Sequence, residues 1–352
     1  MLSSVKIWFV KSPCEDTVIL GRRAGDYAPR SFGGFDCEVV DDARECVFEK
    51  GRMDVVLPLD MPLVLPEDIL RATECVRRRK LGALGLGDKE SGARVVFDEE
   101  GDGGYFLSSP RFCKVGGAKN DSLVYNQMKE RIINRLLSVG VYVVDTANTV
   151  VDDTVRIGSG AVILPFCRLT GQTVIESGAT VEGSLIKDST VGEGATVSLS
   201  HVVDSDIGCD STVGPFARLR GARIAAGCRI GDFVEIKGSV LHEGVKSAHL
   251  TYVGDAEVGA KTNLGCGTVF CNYDGKNKHR TQVGEGCFIG ANSNLVAPLK
   301  IGDGVFVAAG TTVTKDVDDG NFVIGRSRQE VRPALVRGNK KYDTDNNKGG
   351  EN

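Results

Sequence analysis

The chain has 352 residues, a formal net charge of −4, 45 glycines and only 6% aromatic residues. This charge argues against a nucleic-acid-binding surface, so we expect no nucleic-acid partner. There is no run of about 20 apolar residues to span a membrane, and residues 1–13 hold a short apolar patch without a long apolar region or a cleavage site. We therefore expect a cytoplasmic protein that does not associate with membranes.

Residues 1–120 are predicted to form a small α/β domain. Residues 54–60 form an apolar run that ends at Asp60, and this pattern predicts a buried strand. Residues 66–79 have helical spacing, whereas 93–97 and 104–107 are strand-like. Strands that alternate with helices favour a parallel sheet.

A linking helix is predicted within residues 121–140. Apolar side chains recur at helical spacing over residues 122–139, and Gly140 marks the end of the helix. This helix would join the first domain to the remainder of the chain.

From Val151 onward an aliphatic or aromatic residue recurs mostly every six positions, and this period predicts the fold of the second domain. A period of six fits neither a helix nor a plain strand, but it is typical of a parallel β-helix, where each hexad makes one flat side and its corner. Stacked coils place the aliphatic residues in the interior and small residues at the turns. We predict a β-helix over residues 141–326 and a flexible polar tail over 327–352. The predicted interior positions are Val151, Ile157, Ile163, Leu169, Ile175, Val181, Val191, Val197, Val203, Ile207, Val213, Leu219, Ile224, Ile230, Ile236, Val258, Leu264, Phe270, Val283, Ile289, Leu295, Ile301, Val307 and Val313.

The eleven cysteines fit this repeat better than a disulfide framework. Their number is odd, no C-x-x-C pair occurs, and Cys167, Cys209, Cys228 and Cys287 stand where the repeat requires small residues. We expect reduced thiols and no zinc site.

Two interruptions of the period, 237–257 and 271–282, are predicted to carry the chemistry, because a loop that leaves a regular coil is where solenoids place function. The first contains His249, whose ordinary pKa suits a base that removes a proton from an amine attacking a thioester. Arg220 and Lys237 suit an anionic group such as a phosphate. From the residues alone, a solvated histidine, a solvated charged surface and an ordinary turn at 272–275 remain alternatives.

Five motifs in order resemble one known family: residues 214–220, 233–237, 249–257, 271–275 and 308–313. Over about residues 120–329 the chain is similar to the acetyltransferase half of the bifunctional N-acetylglucosamine-1-phosphate uridyltransferase / glucosamine-1-phosphate acetyltransferase family. The resemblance implies a left-handed β-helix and a homotrimer with sites between neighbouring subunits. It also implies acetyl-CoA-dependent N-acetylation of glucosamine 1-phosphate, in the synthesis of UDP-N-acetylglucosamine and peptidoglycan precursors.

The resemblance also assigns roles to residues. His249 matches the catalytic base, and Lys278 matches a loop lysine that reaches the site. The residues that match sugar-phosphate contacts are Arg220, Lys237, Tyr252 and Asn263. Those that match acetyl-CoA contacts are Cys266, Asn272, Tyr273, Ala291, Ala309 and Arg326.

The chain departs from the family at several of these positions. Cys266 and Ala291 stand where the family often has Ala and Ser, Gly325 stands where Ser is common, and the usual Pro after Arg220 is absent. These changes leave His249 in place and bear mainly on the binding of CoA.

The N-terminal half departs further, because the family's Gly-rich phosphate-binding loop does not occur in residues 1–50. Residues 54–64 resemble the strand whose terminal Asp binds Mg²⁺, so Asp60 and Asn120 are the candidate metal ligands. They are closer in sequence than their counterparts in the family. We expect uridylyl transfer to be lost, and Mg²⁺ to be needed only if this domain is active.

Two other functions remain open from the sequence. An acetyltransferase for another amino-sugar phosphate would use the same cations. A non-catalytic trimeric scaffold would use the solenoid alone.

Overall fold

A computed structural model of the chain describes residues 5–16, 18–46, 48, 52–79, 81, 83–87, 93–96, 106–107, 114–116 and 118–331. Most of the predicted tail, residues 332–352, lies outside this range, as do Phe97 and residues 104–105 of two predicted strands. Within the described residues, no helix is both long and apolar enough to cross a membrane.

The N-terminal region contains a six-stranded sheet, whose strands lie in the order Asp36–Val40 (β4), Val5–Val10 (β1), Met53–Pro58 (β5), Arg94–Val96 (β7), Ala83–Leu86 (β6) and Phe106–Leu107 (β8). β1 pairs in parallel with β4 and β5, but β7 runs antiparallel to β5 and β6. The prediction of a parallel sheet is therefore wrong for β7, because residues 87–93 are too few for the crossover of about a dozen residues that parallel neighbours need. The elements are β1 Val5–Val10, β2 Val18–Ile19, β3 Arg22–Arg23, α1 Tyr27–Ser31, β4 Asp36–Val40, β5 Met53–Pro58, α2 Pro66–Arg79, β6 Ala83–Leu86, β7 Arg94–Val96, β8 Phe106–Leu107 and α3 Ala118–Ser138.

The predicted strand at 54–60 and the helix at 66–79 are confirmed as β5, which is buried throughout, and α2. Ile69, Ala72 and Val76 bury one face of α2 against the sheet. Arginines 77–79 in its last turn lie where the helix dipole favours positive charge.

α3 begins three residues before the predicted segment 121–140 and packs between the two parts of the chain. Val124, Met128, Ile132 and Leu136 are buried in one core with Leu20 and the first coils of the β-helix. The same junction is closed by polar contacts, since Asp153 of the first coil binds the guanidinium groups of Arg22 and Arg135. The N-terminal region is thus packed against the end of the solenoid.

From Tyr142 the chain forms a parallel β-solenoid of about 11 turns, which confirms the predicted left-handed parallel β-helix with a small α/β region before it. Successive turns contribute strands to three parallel sheets of eleven, ten and nine strands, named here sheets I, II and III in chain order. Sheet I contains Tyr142–Val143, Val162–Ile163, Thr180–Glu182, Thr196–Ser198, Thr212–Val213, Arg229–Asp232, Lys246–His249, Asn263–Leu264, Phe288–Ile289, Phe306–Val307 and Phe322–Val323. Sheet II contains Val150–Val151, Arg168–Thr170, Leu185–Lys187, His201–Val203, Arg218–Arg220, Glu235–Lys237, Tyr252–Gly254, Val269–Cys271, Asn294–Val296 and Thr312–Val313. Sheet III contains Arg156–Ile157, Val174–Ile175, Thr190–Val191, Asp206–Ile207, Arg223–Ile224, Val240–Leu241, Ala256–Val258, Thr281–Val283 and Leu299–Ile301.

The interior column differs from the prediction at three places. Ile157, in the first coil, is only partly buried. Val202 rather than Val203 is fully buried, because the coil takes a five-residue step there. The interruption predicted between Ile236 and Val258 does not exist, since Leu241, Ser247 and Val253 continue the buried column. A serine at an interior position hid the repeat from a search for aliphatic residues.

The interruption after Phe270 is confirmed as a loop between the strands Val269–Cys271 and Thr281–Val283. Ten cysteines lie within the described residues, and all are free thiols. Cys167, Cys228 and Cys287 are buried in the solenoid as expected, but Cys209 is exposed. Burial raises the pKa of the three buried thiols, which keeps them protonated.

Candidate functional site

His249 ends a strand of sheet I, at the corner where the chain turns into sheet II. The backbone at this corner stacks coil upon coil. The carbonyl of His249 accepts a hydrogen bond from Gly267 at 3.3 Å, that of Cys266 from Asn292 at 2.8 Å, and that of Ala291 from Gly310 at 2.8 Å. The carbonyl of Ala309 accepts from the guanidinium of Arg326 at 2.5 Å. His249 and four of the predicted acetyl-CoA contacts, Cys266, Ala291, Ala309 and Arg326, therefore form one line along this corner, named here the corner ladder.

The corner uses a left-handed backbone conformation in each of these coils. Phe233 and Leu250 adopt it with φ of 56° and 47°, although a side chain is strained there. Gly267, Asn292 and Gly310 take the equivalent place in the next coils. This turn directs Phe233 and Leu250 outward, where each is 60% exposed. The corner ladder is thus bordered on one side by exposed apolar side chains.

The side chain of His249 is exposed and has one carboxylate neighbour. Its Nδ1 lies 3.8 Å from Oδ2 of Asp232, which pairs with His249 one coil earlier. That distance is too long for a hydrogen bond, so the contact between the carboxylate and the imidazole is electrostatic. Nδ1 is the ring nitrogen that faces Asp232, which leaves Nε2 for contact with a bound molecule.

The predicted phosphate-binding cations lie at the opposite edge of sheet II. Arg220 and Lys237 are paired in register on adjacent strands, so both project from the same face of the sheet. Arg220 forms an ion pair with Glu235, while its buried Nε has no partner among the described residues. A buried donor without a partner is costly, and an anionic ligand would satisfy it.

The loop after Phe270 brings a further cation to this edge. The carboxylate of Asp274 accepts hydrogen bonds from the amides of Lys276 and Asn277 at 2.7 and 2.6 Å, and lies 2.7 Å from Nε2 of His279. These bonds lower the pKa of Asp274 to about 2. Tyr273 and Lys278 face each other across the resulting turn. The loop is therefore a closed hairpin whose shape is fixed by the hydrogen bonds of Asp274.

Lys278 returns from this hairpin to Lys237. The pKa of Lys278 is lowered, chiefly by its contact with the ammonium of Lys237, while Asp255 and Tyr252 oppose the shift. Two ammonium groups in contact repel each other unless an anion lies between them. The pair is thus arranged for a negatively charged ligand.

Asp255 connects this edge to Asn272. The amide of Asn272, which is buried, donates to Oδ2 of Asp255 at 2.5 Å. A Cβ at Gly254 would lie 2.4 Å from the hydroxyl of Tyr252 and 2.8 Å from the amide of Asn272. The absence of a side chain at Gly254 therefore makes room for the side chains of Tyr252 and Asn272.

The structure thus brings the predicted site residues together in two groups within one chain. The corner ladder lies at one edge of sheet II, and Arg220, Lys237, Tyr252 and Lys278 lie toward the other edge, with Asn272 and Tyr273 in the adjoining loop. Asn263 belongs to neither group, since it lies in sheet I in register with Lys246 and Phe288. A molecule that used both groups would have to cross the outer face of sheet II.

Sequence analysis missed two carboxylates of the site, Asp232 and Asp255. Asp232 stands one coil before His249, so the coil length could have identified it as a neighbour. Asp255 follows Tyr252 within a motif that was recognised, but nothing in the sequence indicates its contact with the loop residue Asn272.

The predicted metal ligands lie in the N-terminal region. Asp60 follows β5 and is buried; Oδ2 accepts a hydrogen bond from the Ser12 hydroxyl, and Oδ1 has no partner among the described residues. Ser12 follows β1, so both lie at the carboxyl ends of neighbouring parallel strands, where α/β sheets bind ligands. One free carboxylate oxygen suits Mg²⁺. However, Asn120 is exposed in the first turn of α3, and the described residues hold no group of three His, Cys, Asp or Glu side chains that could bind a metal.

Comparison with known proteins gives a family model that matches residues 280–315 and is described as bacterial transferase hexapeptide (six repeats). The chain is 48% identical over 204 residues to a protein of Geobacillus sp. (strain WCH70) named Bifunctional protein GlmU, covering 57% of this chain and 44% of that one. It is 44% identical over 210 residues to the protein of the same name from Nostoc sp., covering 59% and 47%. The chain therefore spans about half the length of these relatives.

Solved structures resemble the chain more distantly. UDP-N-acetylglucosamine acyltransferase from Campylobacter jejuni is 20% identical with a TM-score of 0.37, over 45% of this chain and 66% of that one. Likeness at this level says nothing about activity. The resemblance predicted from the motifs is nevertheless confirmed by the sequence relatives, and the C-terminal part of this chain is a homologue of the proteins named Bifunctional protein GlmU.

Proposed function

We propose that the solenoid transfers an acetyl group from acetyl-CoA to the amine of glucosamine 1-phosphate, giving N-acetylglucosamine 1-phosphate. The observation that carries this proposal is the pairing of His249 with Asp232 at one edge of sheet II, with four cationic or amide groups toward the other. The homology of the C-terminal part supports the same reaction class.

The chemistry assigned to His249 is general base catalysis. Nε2 accepts a proton from the amine as its nitrogen attacks the thioester carbonyl; the new N–C bond forms, the C–S bond breaks, and CoA leaves as the thiol after taking up a proton. Asp232 stabilises the imidazolium that exists between these two steps. Its role is electrostatic, because 3.8 Å is beyond hydrogen-bond reach.

The phosphate of the acceptor is assigned to Lys237 and Lys278, with Arg220 beside them. A phosphate between the two ammonium groups removes their mutual repulsion and forms charge-assisted hydrogen bonds. Tyr252 and Asn272 then border the sugar.

Acetyl-CoA is assigned to the corner ladder, whose small side chains leave an open surface at Ala291 and Ala309. Arg326 at its end suits the phosphates of the cofactor. We further propose a homotrimer, in which a neighbouring subunit covers the exposed Phe233 and Leu250 and completes the site. Such a neighbour would bring the two groups of residues into one cavity.

The test is formation of N-acetylglucosamine 1-phosphate from acetyl-CoA and glucosamine 1-phosphate, detected by mass spectrometry. Direct detection of product is preferable to a thiol reagent, because Cys209 and Cys266 are exposed and would react. His249→Ala should lower the rate by roughly 100-fold or more, the usual scale for loss of a general base.

His242→Ala is the matched control, since His242 is an exposed histidine that follows the strand Val240–Leu241 of sheet III and binds Glu257 at 3.0 Å. It should retain the wild-type rate. Product from another amino-sugar phosphate but not from glucosamine 1-phosphate would move the substrate assignment and leave His249 in its role. If no amino sugar is acetylated, the non-catalytic trimeric scaffold is the alternative that remains.

A further inference from the structure

A cavity of about 370 Å³ lies where the N-terminal region, α3 and the first coil of the solenoid meet. Four arginines line it: Arg22, Arg30, Arg131 and Arg135. Asp153 is the one carboxylate among its described lining residues. Its described lining residues therefore include four cations and one anion.

Asp153 is fully engaged by two of the arginines. It binds the Nε of Arg22 through Oδ2, and Nη1 of Arg135 through Oδ1 at 2.7 Å. Burial raises the pKa of this carboxyl, but the hydrogen bonds and charges of the two arginines outweigh it, so the pKa is lowered. Asp153 therefore stays ionised and holds both guanidinium groups in place, while their remaining N–H groups stay available to a ligand.

Arg30 is the cation with the greatest freedom. It is exposed at the rim and makes no hydrogen bond or ion pair with any described residue. Arg131 lies deeper and binds the carbonyl of Leu63. Two guanidinium groups are thus fixed from one side by Asp153, a third is fixed by the backbone, and a fourth can close over a bound anion.

The remaining lining residues are partly apolar. Pro62, Leu65, Met128 and Ile132 line the cavity beside the arginines. A cavity of this size lies in the range of small-molecule sites, roughly 300–1,000 Å³. Its composition suits a molecule with one strongly anionic end and one organic part.

We propose that this cavity binds an organic phosphate, with the phosphate on the arginines and the organic part on the apolar side. Planar guanidinium groups favour phosphate because they donate two parallel hydrogen bonds to it. Asp153, the one carboxylate among the described lining residues, is engaged by two arginines, so the cavity suits an anion rather than a metal ion. The ligand would bridge Arg22 and Arg30 of the N-terminal region, Arg131 and Arg135 of α3, and the first coil, and so hold the two parts of the chain together.

The experiment is isothermal titration of the full chain with inorganic pyrophosphate at low salt and with a chelator present, so that metal-dependent binding elsewhere does not contribute. A saturable site that Arg30→Gln weakens at least fivefold is expected. Any binding at Lys237 and Lys278, the phosphate site proposed above, should be unchanged by Arg30→Gln. Because Arg30 is exposed and its side chain makes no hydrogen bond or ion pair with a described residue, this variant should fold normally. In the wild type, UDP should bind more tightly than pyrophosphate, because its organic part contacts the apolar side of the cavity.

Arg23→Gln is the matched control, because Arg23 is an exposed arginine of the same segment that binds Asp16 and Asp26 and does not line the cavity. It should bind pyrophosphate as the wild type does. The absence of saturable binding, or equal affinity in the Arg30→Gln variant, would overturn the proposal. Neither result bears on acetyl transfer, since the cavity shares no residue with the corner ladder.

Discussion

The solenoid and the N-terminal region reach a buried core by different routes. In the solenoid every strand pairs with the strand one coil away, so contacts repeat at a nearly fixed sequence separation. In the N-terminal sheet, β1 pairs with β4 and with β5, whose partner β7 follows only after α2 and β6. A local repeat can lose one member and keep its pattern, whereas the N-terminal sheet depends on single long-range pairings.

The same contrast holds for the candidate sites. The solenoid positions its side chains by register, so that His249, Cys266, Ala291 and Ala309 follow from coil to coil. The N-terminal region offers Asp60 beside Ser12 but no Gly-rich loop. A site built on repeated coils keeps its geometry when single residues are substituted. A site assembled from unrelated turns loses its geometry more easily.

The largest expected difference is between two activities of the same chain. Acetyl transfer should proceed, whereas UTP, N-acetylglucosamine 1-phosphate and Mg²⁺ should give no UDP-N-acetylglucosamine. The reason is that uridylyl transfer requires groups that fix a triphosphate in line with the attacking oxygen, and no such loop occurs in residues 1–50. The measurement is pyrophosphate release, and release that depends on the sugar phosphate and is abolished by Asp60→Ala would contradict this prediction.

A second prediction concerns backbone packing in the two regions. Gly231→Ala would place a Cβ 2.0 Å from the carbonyl oxygen of Ala248 on the next coil, whereas a Cβ at Gly33 meets nothing within 4 Å. We expect Gly231→Ala to lower the free energy of unfolding by about 2–3 kcal/mol, and Gly33→Ala to change it by less than about 0.5 kcal/mol.

Urea denaturation can follow the two regions separately. The chain has one tryptophan, Trp8, which is buried in β1 and reports the N-terminal region, while circular dichroism mainly reports the solenoid. A larger effect from Gly33→Ala than from Gly231→Ala would show that coil stacking is not the tighter constraint.

A third prediction separates two cations that are paired in register. Lys237→Ala should raise the KM for glucosamine 1-phosphate by an amount equivalent to about 1.5–3 kcal/mol, with little change in the KM for acetyl-CoA. Arg220→Ala should have a smaller effect, because Glu235 already offsets its charge. Steady-state kinetics with each substrate varied in turn provides the measurement.

Lys187→Ala is the control for this pair. Lys187 occupies the same column of sheet II three coils before Lys237 and is exposed, whereas Lys237 is half-buried. It should leave both KM values unchanged. If Lys187→Ala and Lys237→Ala have equal effects, the column acts through its general charge and not through a phosphate contact.

The smallest expected effect concerns the interior of the solenoid. The hydroxyl of Ser247 is buried without a hydrogen-bond partner among the described residues, whereas that of Ser211 binds the carbonyl of Ala225 at 2.9 Å and the amide of Cys228 at 3.0 Å. Ser247→Ala should therefore raise the free energy of unfolding by up to about 1 kcal/mol, and Ser211→Ala should lower it by about 1 kcal/mol or more. Matched urea titrations would decide, and equal destabilisation by both would show that Ser247 has a partner.

The sequence predicted most of the solenoid because its repeat is local. It failed at Ser247, where a polar residue fills an interior position, and at Val203, where a five-residue step moves burial to Val202. The spacing of aliphatic residues in the sequence follows the stacking of the coils only indirectly. A corner that is one residue shorter changes the spacing in the sequence but leaves the stacking intact.

The candidate site was predicted less completely than the fold. His249, Lys237 and Lys278 could be named from motifs, but their separation into two edges of sheet II depends on where each corner falls. The contact of Asp255 with Asn272 depends on how the loop folds back. Such contacts depend on how the loop folds in three dimensions, and no regular spacing of residues in the sequence predicts them.

The corner ladder also fixes distances along the solenoid axis. Its members rise by one strand spacing per coil, about 4.8 Å, so Arg326, four coils beyond His249, lies roughly 19 Å along the axis. Distance along this edge is counted in whole coils and cannot be adjusted continuously. A deletion of one coil between His249 and Arg326 would shorten this edge by one strand spacing. The reach of a bound molecule is therefore set by the number of turns and not by any single residue.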